Sequence, residues 1–319
     1  MKREIVLIII LGLLSLQIAT GYYLFKDIPS EKVVEPKIYF CPFDNCVLHL
    51  AGRINNAKHY VYCAFFDLDL EEIIHSLSFK DIDVKMVLDD DCFKEFRRLG
   101  FVRKDDSKQL MHNKFCVIDD KYVMTGSFNP TYNGNFLNNN NLLIIESEYL
   151  AKNYKSEFNE LWQGHFSGGN KVKYPKVNLN NHLYENYFCP EDGCEEKVLE
   201  ALASAEKSIY FMTFSFTSKK IADFFVKNKN RIEIKGVFEK FQNGKYSQYS
   251  KLQSSGLNVK FDQNPKNMHH KVFIIDEKIV ITGSYNPTAS GNSRNDENIL
   301  IIHDAAIAKR FVEEFYRIW

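Results

Sequence analysis

One sequence pattern occurs twice in this chain and constrains its fold more than any other feature. Each copy reads His-x-Lys, four residues, Asp, six residues, Gly-Ser-x-Asn, and the copies lie 157 residues apart (269 − 112 = 157). A chain of 319 residues can hold two modest domains, each with a core. We therefore predict a duplication of one unit. The first copy comprises His112, Lys114, Asp119, Ser127 and Asn129, and the second comprises His269, Lys271, Asp276, Ser284 and Asn286.

Apolar runs surround both copies in the same order. Each half reads as strand, helix and strand, then two strands that carry the pattern, a further strand and a closing amphipathic helix. The alternation predicts α/β/α halves, related by a pseudo-two-fold axis, with mixed, mostly parallel sheets. The predicted strands are 61–66, 82–88, 115–118, 122–125, 142–145, 209–214, 232–238, 272–275, 279–282 and 299–302, and the predicted helices are 70–78, 149–162, 218–227 and 305–319.

The N-terminal segment is the longest apolar stretch of the sequence. Residues 5–25 are nearly uncharged, which matches the span of a transmembrane helix, and a cleaved signal peptide is the alternative. Lys2 and Arg3 precede it, which favours a cytoplasmic N-terminus and an extracytoplasmic catalytic region. The predicted divisions are a membrane anchor or uncleaved signal at 1–26, a linker at 27–36, the first half at 37–166, a linker at 167–181 and the second half at 182–319.

The overall charge is balanced. Lysine plus arginine and aspartate plus glutamate both number 41, so the formal net charge is zero. This excludes a global basic field, and any site for a polyanion has to be a local patch.

The residue types in the repeated pattern indicate phosphodiester chemistry. In-line attack on phosphorus requires a nucleophile on one side and a proton donor for the leaving oxygen on the other, and imidazole can do either near neutral pH. The two lysines would neutralise the non-bridging oxygens, and Asn129, Asn286, Ser127 and Ser284 would donate hydrogen bonds to them. We predict no metal and no cofactor, since the sequence offers no carboxylate cluster suited to Mg²⁺.

At these residues the sequence resembles the phospholipase D superfamily, whose signature is this same pattern. The resemblance covers nearly all of residues 37–319. The second half, from 261–265 to 296–298, looks particularly like the branch that contains the Zucchini endonuclease, also called mitochondrial cardiolipin hydrolase, and the small bacterial nuclease. Members of that branch carry one motif and dimerise. Two motifs in one chain form an internal pseudo-dimer, so a monomer suffices.

The resemblance implies a covalent phosphohistidine intermediate, with His112 as nucleophile and His269 as acid. The family also places a carboxylate after each Asn to orient a histidine. Here the second half has Glu297, whereas the equivalent position of the first half (297 − 157 = 140) is Asn140. A carboxylate stabilises a charged phosphohistidine, so it belongs with the nucleophile. We predict a crossed pairing, in which Glu297 orients His112 and Asn140 orients His269.

Three further residues in the repeated pattern are interpreted as having no direct part in the chemistry. Asp119 and Asp276 could act as acids or bases, but their place at strand turns predicts carboxylates that bind nearby backbone groups. His270 stands between the catalytic His and Lys and should point away from them along a strand, so we interpret it as a bystander.

The cysteine spacing leaves several states open. Cys41 with Cys46, and Cys189 with Cys194, are spaced as local pairs that would form disulfides outside the cell. Zinc binding, with or without His49, is implied by the related endonuclease branch, although this spacing is weak for zinc; free thiols are the third state. Cys63 and Cys116 lie in predicted strands and are interpreted as core residues.

Three functions remain in competition at this level. The first is an endonuclease on DNA or RNA, with single strands favoured, and the second is a phospholipase D or cardiolipin-type lipid hydrolase. The third is a phosphate-binding module without chemistry, which the intact His, Lys and Asn of both copies argue against. A basic groove would favour nucleic acid and an apolar pocket would favour acyl chains. Candidate groove cations are Lys219, Lys220, Lys235, Lys240, Lys245 and Lys266.

Overall fold

The computed structural model describes residues 28–78 and 80–319. The predicted membrane segment, residues 5–25, lies outside this part of the chain. Among the residues that are described, no helix combines the length and the apolarity that a membrane span needs.

The first half is built on a seven-stranded sheet in the order β2-β8-β7-β6-β3-β4-β5. Its strands are β2 Lys37–Cys41, β3 Tyr60–Phe65, β4 Asp83–Leu88, β5 Val102–Lys104, β6 Lys114–Ile118, β7 Tyr122–Gly126 and β8 Asn140–Glu146. Its helices are α1 Cys46–Asn55, α2 Glu71–Ser78, α3 Asp90–Phe96, α4 Tyr132–Phe136 and α5 Glu148–Trp162.

The second half is built on a nine-stranded sheet in the order β1-β9-β10-β16-β15-β14-β11-β12-β13. Its strands are β1 Ser30–Glu31, β9 Lys176–Leu179, β10 His182–Cys189, β11 Ser208–Thr213, β12 Glu233–Phe238, β13 Asn258–Phe261, β14 Lys271–Ile275, β15 Ile279–Gly283 and β16 Glu297–His303. Its helices are α6 Cys194–Ala203, α7 Lys219–Asn228, α8 Tyr249–Ser254, α9 Ala289–Ser293 and α10 Ala305–Ile318. Parts of both predicted linkers thus form strands, since β1 pairs with β9.

The expectation of mostly parallel sheets is wrong. Of the 14 strand pairings between the described strands, five are parallel and nine are antiparallel. The helix-connected strands β3 and β4 are parallel, as the alternation predicts. In contrast, β6, β7 and β8 follow one another as antiparallel neighbours. Only three residues separate β6 from β7, and a parallel crossover needs a dozen or more.

The closing helix of each half follows an N-cap residue whose side chain accepts a backbone hydrogen bond, and it packs into a core that both halves share. The Ser147 side chain accepts a hydrogen bond from Leu150 N at the start of α5, and the Asp304 side chain caps α10 in the same way. The apolar stripes of the two helices belong to one cluster of buried side chains. Those stripes are Leu150, Tyr154, Phe158 and Leu161 on α5, and Ile307, Phe311 and Phe315 on α10.

A buried polar network joins the halves at equivalent positions. His270 Nδ1 lies 3.0 Å from Asn141 Nδ2, and its Nε2 lies 3.0 Å from Glu314 Oε1. At the matching positions, Asn298 donates to Asn113 and Asn113 donates to Glu157. His270, which we interpreted as a bystander to the chemistry, thus has structural contacts in this network. Its ring is fully buried, and its hydrogen bonds connect β8 of the first half to α10 of the second.

Three disulfides are present among the described cysteines. Cys41–Cys46 and Cys189–Cys194 are bonded, which is the disulfide alternative for these pairs, so their sulfurs do not serve as zinc ligands. Cys63 and Cys116 are buried in the core, as interpreted from the sequence, and they form a third disulfide. These two residues are cross-strand neighbours on β3 and β6 with Cα atoms 4.1 Å apart. This register follows from the sheet pairing and cannot be obtained from spacing along the chain.

Candidate active site

Each catalytic histidine is held by backbone bonds from the opposite half. His112 N donates to Asp296 O at 3.0 Å, and His269 N donates to Asn139 O at 2.9 Å. Isolated bridges, Met111 with Asp296 and Asn139 with Met268, accompany these bonds. The two His-x-Lys segments therefore meet where the two halves touch.

Behind each histidine stands the partner that the crossed pairing predicts. Glu297 Oε2 lies 2.7 Å from His112 Nδ1, and Asn140 Oδ1 lies 2.8 Å from His269 Nδ1. All four side chains are buried. Because Nδ1 of each ring is engaged, Nε2 is the nitrogen left to face a substrate. The catalytic roles of the two rings stay predictions.

The two lysines lie beside both rings. Lys114 Nζ donates to His112 O at 2.7 Å, and Lys271 Nζ donates to His269 O at 2.8 Å. Burial lowers the pKa of Lys114 to about 7 and lowers that of Lys271 well below its usual range. Burial also lowers the pKa of each histidine well below its ordinary value, and the charges of both lysines add to this effect. Each lysine is therefore close enough to act on both imidazoles.

The serines of the pattern hold the orienting residues. Ser284 Oγ donates to Glu297 Oε2 at 2.8 Å, and Ser127 Oγ donates to Asn140 Oδ1 at 3.2 Å. The expectation that these hydroxyls donate to phosphate oxygens is wrong, since each donates its proton to the residue behind a histidine.

The glycine before each serine is required by close packing. Gly126 and Gly283 have φ values of 137° and 144°, which L side chains rarely adopt. A Cβ at either position would collide with the carbonyl oxygen of Asn141 or Asn298. The backbone can therefore approach β8 and β16 closely enough for the serine to reach its acceptor.

The asparagines of the pattern lie in the loops after β7 and β15. Asn286 Oδ1 accepts a hydrogen bond from Ser215 N at 3.3 Å. Asn129 Oδ1 is buried and has no protein partner within the described part of the chain. Asn286 and His112 line the same cavity of about 950 Å³, so residues of both halves face one space.

Asp119 and Asp276 have the structural arrangement that we favoured. Asp119 accepts hydrogen bonds from Lys58 N, His59 N and Tyr60 N at 2.8 to 2.9 Å. Asp276 accepts three equivalent backbone bonds at 2.7 to 2.8 Å. Burial alone would raise the pKa of either carboxyl, but the backbone donors outweigh it and lower the pKa. Each carboxylate therefore holds the backbone where a neighbouring strand begins, β3 for Asp119 and β11 for Asp276.

Two aromatic residues of the site were not singled out from the sequence. The rings of Phe66 and Phe214 lie 4.9 and 4.7 Å from the rings of His112 and His269. Lys114 Nζ lies 4.9 Å from the Phe66 ring, and Lys271 Nζ lies 4.8 Å from the Phe214 ring. Their equal offset (214 − 66 = 148) is the signal that identifies them.

One group of carboxylates could share a cation among the residues described. Asp89, Asp90 and Asp91, which are consecutive in the sequence, lie within reach of a common ion. Asp89 is the N-cap of α3 and its side chain accepts a hydrogen bond from Asp91 N. Helix capping thus accounts for the buried member, and the other two are exposed.

Two buried imidazoles with engaged Nδ1 atoms, each with a buried lysine bonded to its backbone carbonyl, are the groups that the phosphodiesterase class requires. The comparisons agree with this class. A family model described as "Cardiolipin synthase, PLD-like domain" matches residues 50–162 and 198–319. The chain therefore belongs to the phospholipase D superfamily and is a phosphodiester hydrolase.

Individual relatives match about half of the chain or less. A phospholipase D from Rickettsia bellii is 30% identical over 148 residues, which cover 46% of this chain and 74% of the relative. A human mitochondrial cardiolipin hydrolase is 35% identical over 127 residues, which cover 39% of this chain and 50% of the relative. The structure of a phosphatidylserine synthase from Haemophilus influenzae covers 88% of this chain and 86% of its own at a TM-score of 0.62 and 14% identity. That likeness shows the fold alone.

Proposed function

We propose that this chain is a nuclease of the superfamily that cleaves single-stranded DNA or RNA endonucleolytically through a phosphohistidine. The observation that carries the proposal is the cavity beside His112 and Asn286. The residues that line it are mostly of polar or charged types and include four cations, which are the contacts that a nucleic acid backbone needs. Those cations are Lys219, Lys220, Lys245 and Arg294.

In the proposed reaction His112 Nε2 attacks phosphorus and the bond to the leaving oxygen breaks. His269 gives that oxygen its proton, and the same ring then takes a proton from the water that hydrolyses the P–N bond. Burial raises the pKa of Glu297 to about 8, and the positive charge that forms on phosphorylated His112 beside it favours the carboxylate, which stabilises that charge at Nδ1. Lys114 and Lys271 neutralise the non-bridging oxygens. The bound anion favours the protonated forms of both lysines and of His269, so His269 Nε2 carries the proton that the leaving oxygen receives.

The proposal also includes the cellular setting. Residues 5–25 would anchor the chain with the catalytic region outside the cytoplasm, as the flanking charges indicate. The disulfides Cys41–Cys46, Cys63–Cys116 and Cys189–Cys194 support an oxidising compartment.

The test is cleavage by the full chain in detergent and EDTA. Single-stranded DNA, single-stranded RNA, duplex DNA and phosphatidylglycerol are offered separately, with His112→Asn and His269→Asn as inactive controls. Rapid cleavage of a single strand that both variants lose is expected. Release of a lipid headgroup without cleavage of nucleic acid would refute the proposal.

The second candidate is a phospholipase D or cardiolipin-type lipid hydrolase. Its support is that relatives carry the names phospholipase D and mitochondrial cardiolipin hydrolase. A membrane anchor would also keep the site close to lipid, although it would tether a nuclease equally well.

A further inference from the structure

The cavity at the active site is built unequally by the two halves. Apart from Leu110 and His112, its lining comes from the second half. Lys219, Lys245 and Arg294 are exposed at its surface. Lys220 differs from them, since ion pairs join it to Glu195 and Glu196 at 2.9 Å.

The equivalent positions of the first half carry the opposite charge. Asp69 N and Thr217 N both donate to the carbonyl of an equivalent proline, which fixes their offset (217 − 69 = 148). On this offset Glu71 stands opposite Lys219, and α2 and α7 begin at these two residues. At two other cavity positions, the first half has Glu72 where the second has Lys220, and Asp67 where the second has the neutral Ser215. At the offset of 157, the first half has the uncharged Leu137 where the second has Arg294.

The second half also has an insertion at this point. The segment from Phe238 to Asp262 is seven residues longer than its counterpart from Leu88 to Asp105 (262 − 238 = 24 against 105 − 88 = 17). Both ends are anchored alike, since the aspartate N donates to the carbonyl at the strand end in each half. The insertion supplies Lys245 and Tyr246 to the cavity, and Tyr246 is 70% exposed.

We propose that Lys219, Lys245, Tyr246 and Arg294 form a one-sided binding ledge for single-stranded nucleic acid. The phosphates on one side of the scissile bond lie along the three cations, and a base stacks on Tyr246. On the other side, Asp67, Asp69, Glu71 and Glu72 repel a polyanion. The two halves thus contribute equivalent residues to the chemistry, but only the second half binds the nucleic acid strand.

Cations interleaved with an exposed aromatic ring are the features that bind single strands without sequence preference. A lipid headgroup needs fewer contacts, because it presents a single phosphodiester. The hydroxyl and amide groups between the cations are hydrogen-bond donors for sugar and phosphate oxygens. They belong to Ser215, Thr217, Ser290 and Asn292.

This inference rests on the proposed nuclease function, so binding and cleavage are measured separately. Binding of fluorescent oligothymidylates of about 4 to 16 nucleotides is measured by anisotropy across salt concentrations, in the His112→Asn background of the full chain. Cleavage is measured as the ratio of kcat/KM for the oligonucleotide to kcat/KM for bis(4-nitrophenyl) phosphate, which carries no flanking phosphate.

Matched variants compare the two halves. Tyr246→Ala is expected to weaken binding about tenfold or more through lost stacking. Lys219→Glu is expected to weaken the salt dependence, so that the magnitude of the slope of log affinity against log salt falls by about 1 or more. Glu71→Lys should strengthen binding and steepen that slope. The controls are Tyr132→Ala, an aromatic ring of the first half that is 58% exposed, and Lys227→Glu, an exposed charge reversal on α7 outside the cavity; both should bind like the parent.

The outcomes separate the two proposals. Equal losses in Tyr132→Ala and Tyr246→Ala, or no loss in Lys219→Glu, would overturn the one-sided ledge. So would variants that lose binding to phosphatidylcholine–phosphatidylglycerol vesicles while they bind oligonucleotides normally, because the ledge would then contact membranes. Binding that depends on the ledge without cleavage by the parent chain would support the ledge and remove the nuclease function.

Discussion

The carboxylate behind His112 gives the sharpest test of the assigned roles. Glu297 Oε2 lies 2.7 Å from His112 Nδ1, and both side chains are buried. A hydrogen bond to a charged group contributes about 1.5–3 kcal/mol and a neutral one about 0.5–1.5 kcal/mol. Glu297→Gln therefore loses about 1–2 kcal/mol, which at about 1.4 kcal/mol per factor of ten lowers the rate of phosphohistidine formation about 5- to 30-fold.

A second substitution uses the internal duplication as its own control. Asn140→Asp places a carboxylate behind His269, where Asn140 Oδ1 now lies 2.8 Å from Nδ1. In the Glu297→Gln, Asn140→Asp double variant the carboxylate has changed halves. The phosphorylated residue is expected to change from His112 to His269, because the charged intermediate is stabilised at the ring that has the carboxylate.

The assay is single-turnover cleavage followed by acid-free peptide mass spectrometry of the trapped phosphohistidine. Rates are expressed per folded molecule, measured by far-ultraviolet circular dichroism. Phosphate found on His269 in the parent chain, or on His112 in the double variant, would refute the reasoning. An unchanged rate in Glu297→Gln would refute it equally.

Three further predictions concern the buried charges. Because burial lowers the pKa of Lys114 to about 7, kcat/KM for an anionic diester should fall above about pH 7, and a pH profile that stays flat to pH 9 would contradict this. The unfolded chain keeps the usual lysine pKa of 10.5, so it binds more protons than the folded chain between pH 7 and 10.5, and stability should rise with pH in that window. Lys114→Met should reduce this rise, since Lys271 also contributes to it, and should stabilise the protein at pH 7 by about 1–4 kcal/mol in urea unfolding, whereas destabilisation would show that the ammonium is well solvated. Asp119→Asn and Asp276→Asn should each destabilise the fold by about 1–3 kcal/mol with cleavage per folded molecule unchanged, and a loss of rate without a loss of stability would assign them to the chemistry instead.

The sequence predicted most of the local structure and most of the site. The predicted strand 122–125 matches β7 closely, and the predicted helix 149–162 matches α5, because period-2 and period-3.6 patterns depend on neighbours in the chain. The duplicated spacing identified both His-x-Lys pairs. The presence of Asn140 in place of a carboxylate, together with the crossed pattern that the resemblance implies, predicted that Glu297 orients His112, and the contact between them confirms it.

Several features could not be predicted because they depend on contacts between distant segments. The Cys63–Cys116 disulfide depends on which residues face each other on β3 and β6. The role of Ser284 depends on how closely Gly283 lets β15 approach Asn298. The prediction of mostly parallel sheets failed because it was based on the strands that are joined by helices, such as β3 and β4. The strands that carry the repeated pattern are joined by short turns and are antiparallel.

By itself, the sequence determined that two equivalent units exist and which residues are candidates for the chemistry, because a repeat in register is visible along the chain. Only the tertiary structure decided that the two units share one core, so that His112 and Asn286 face one cavity, and that this cavity is cationic over the second half. The chain has 41 positive and 41 negative residues, so its composition gives no sign of this uneven distribution of charge. The halves differ in charge because equivalent helix starts, Glu71 in the first half and Lys219 in the second, carry opposite charges.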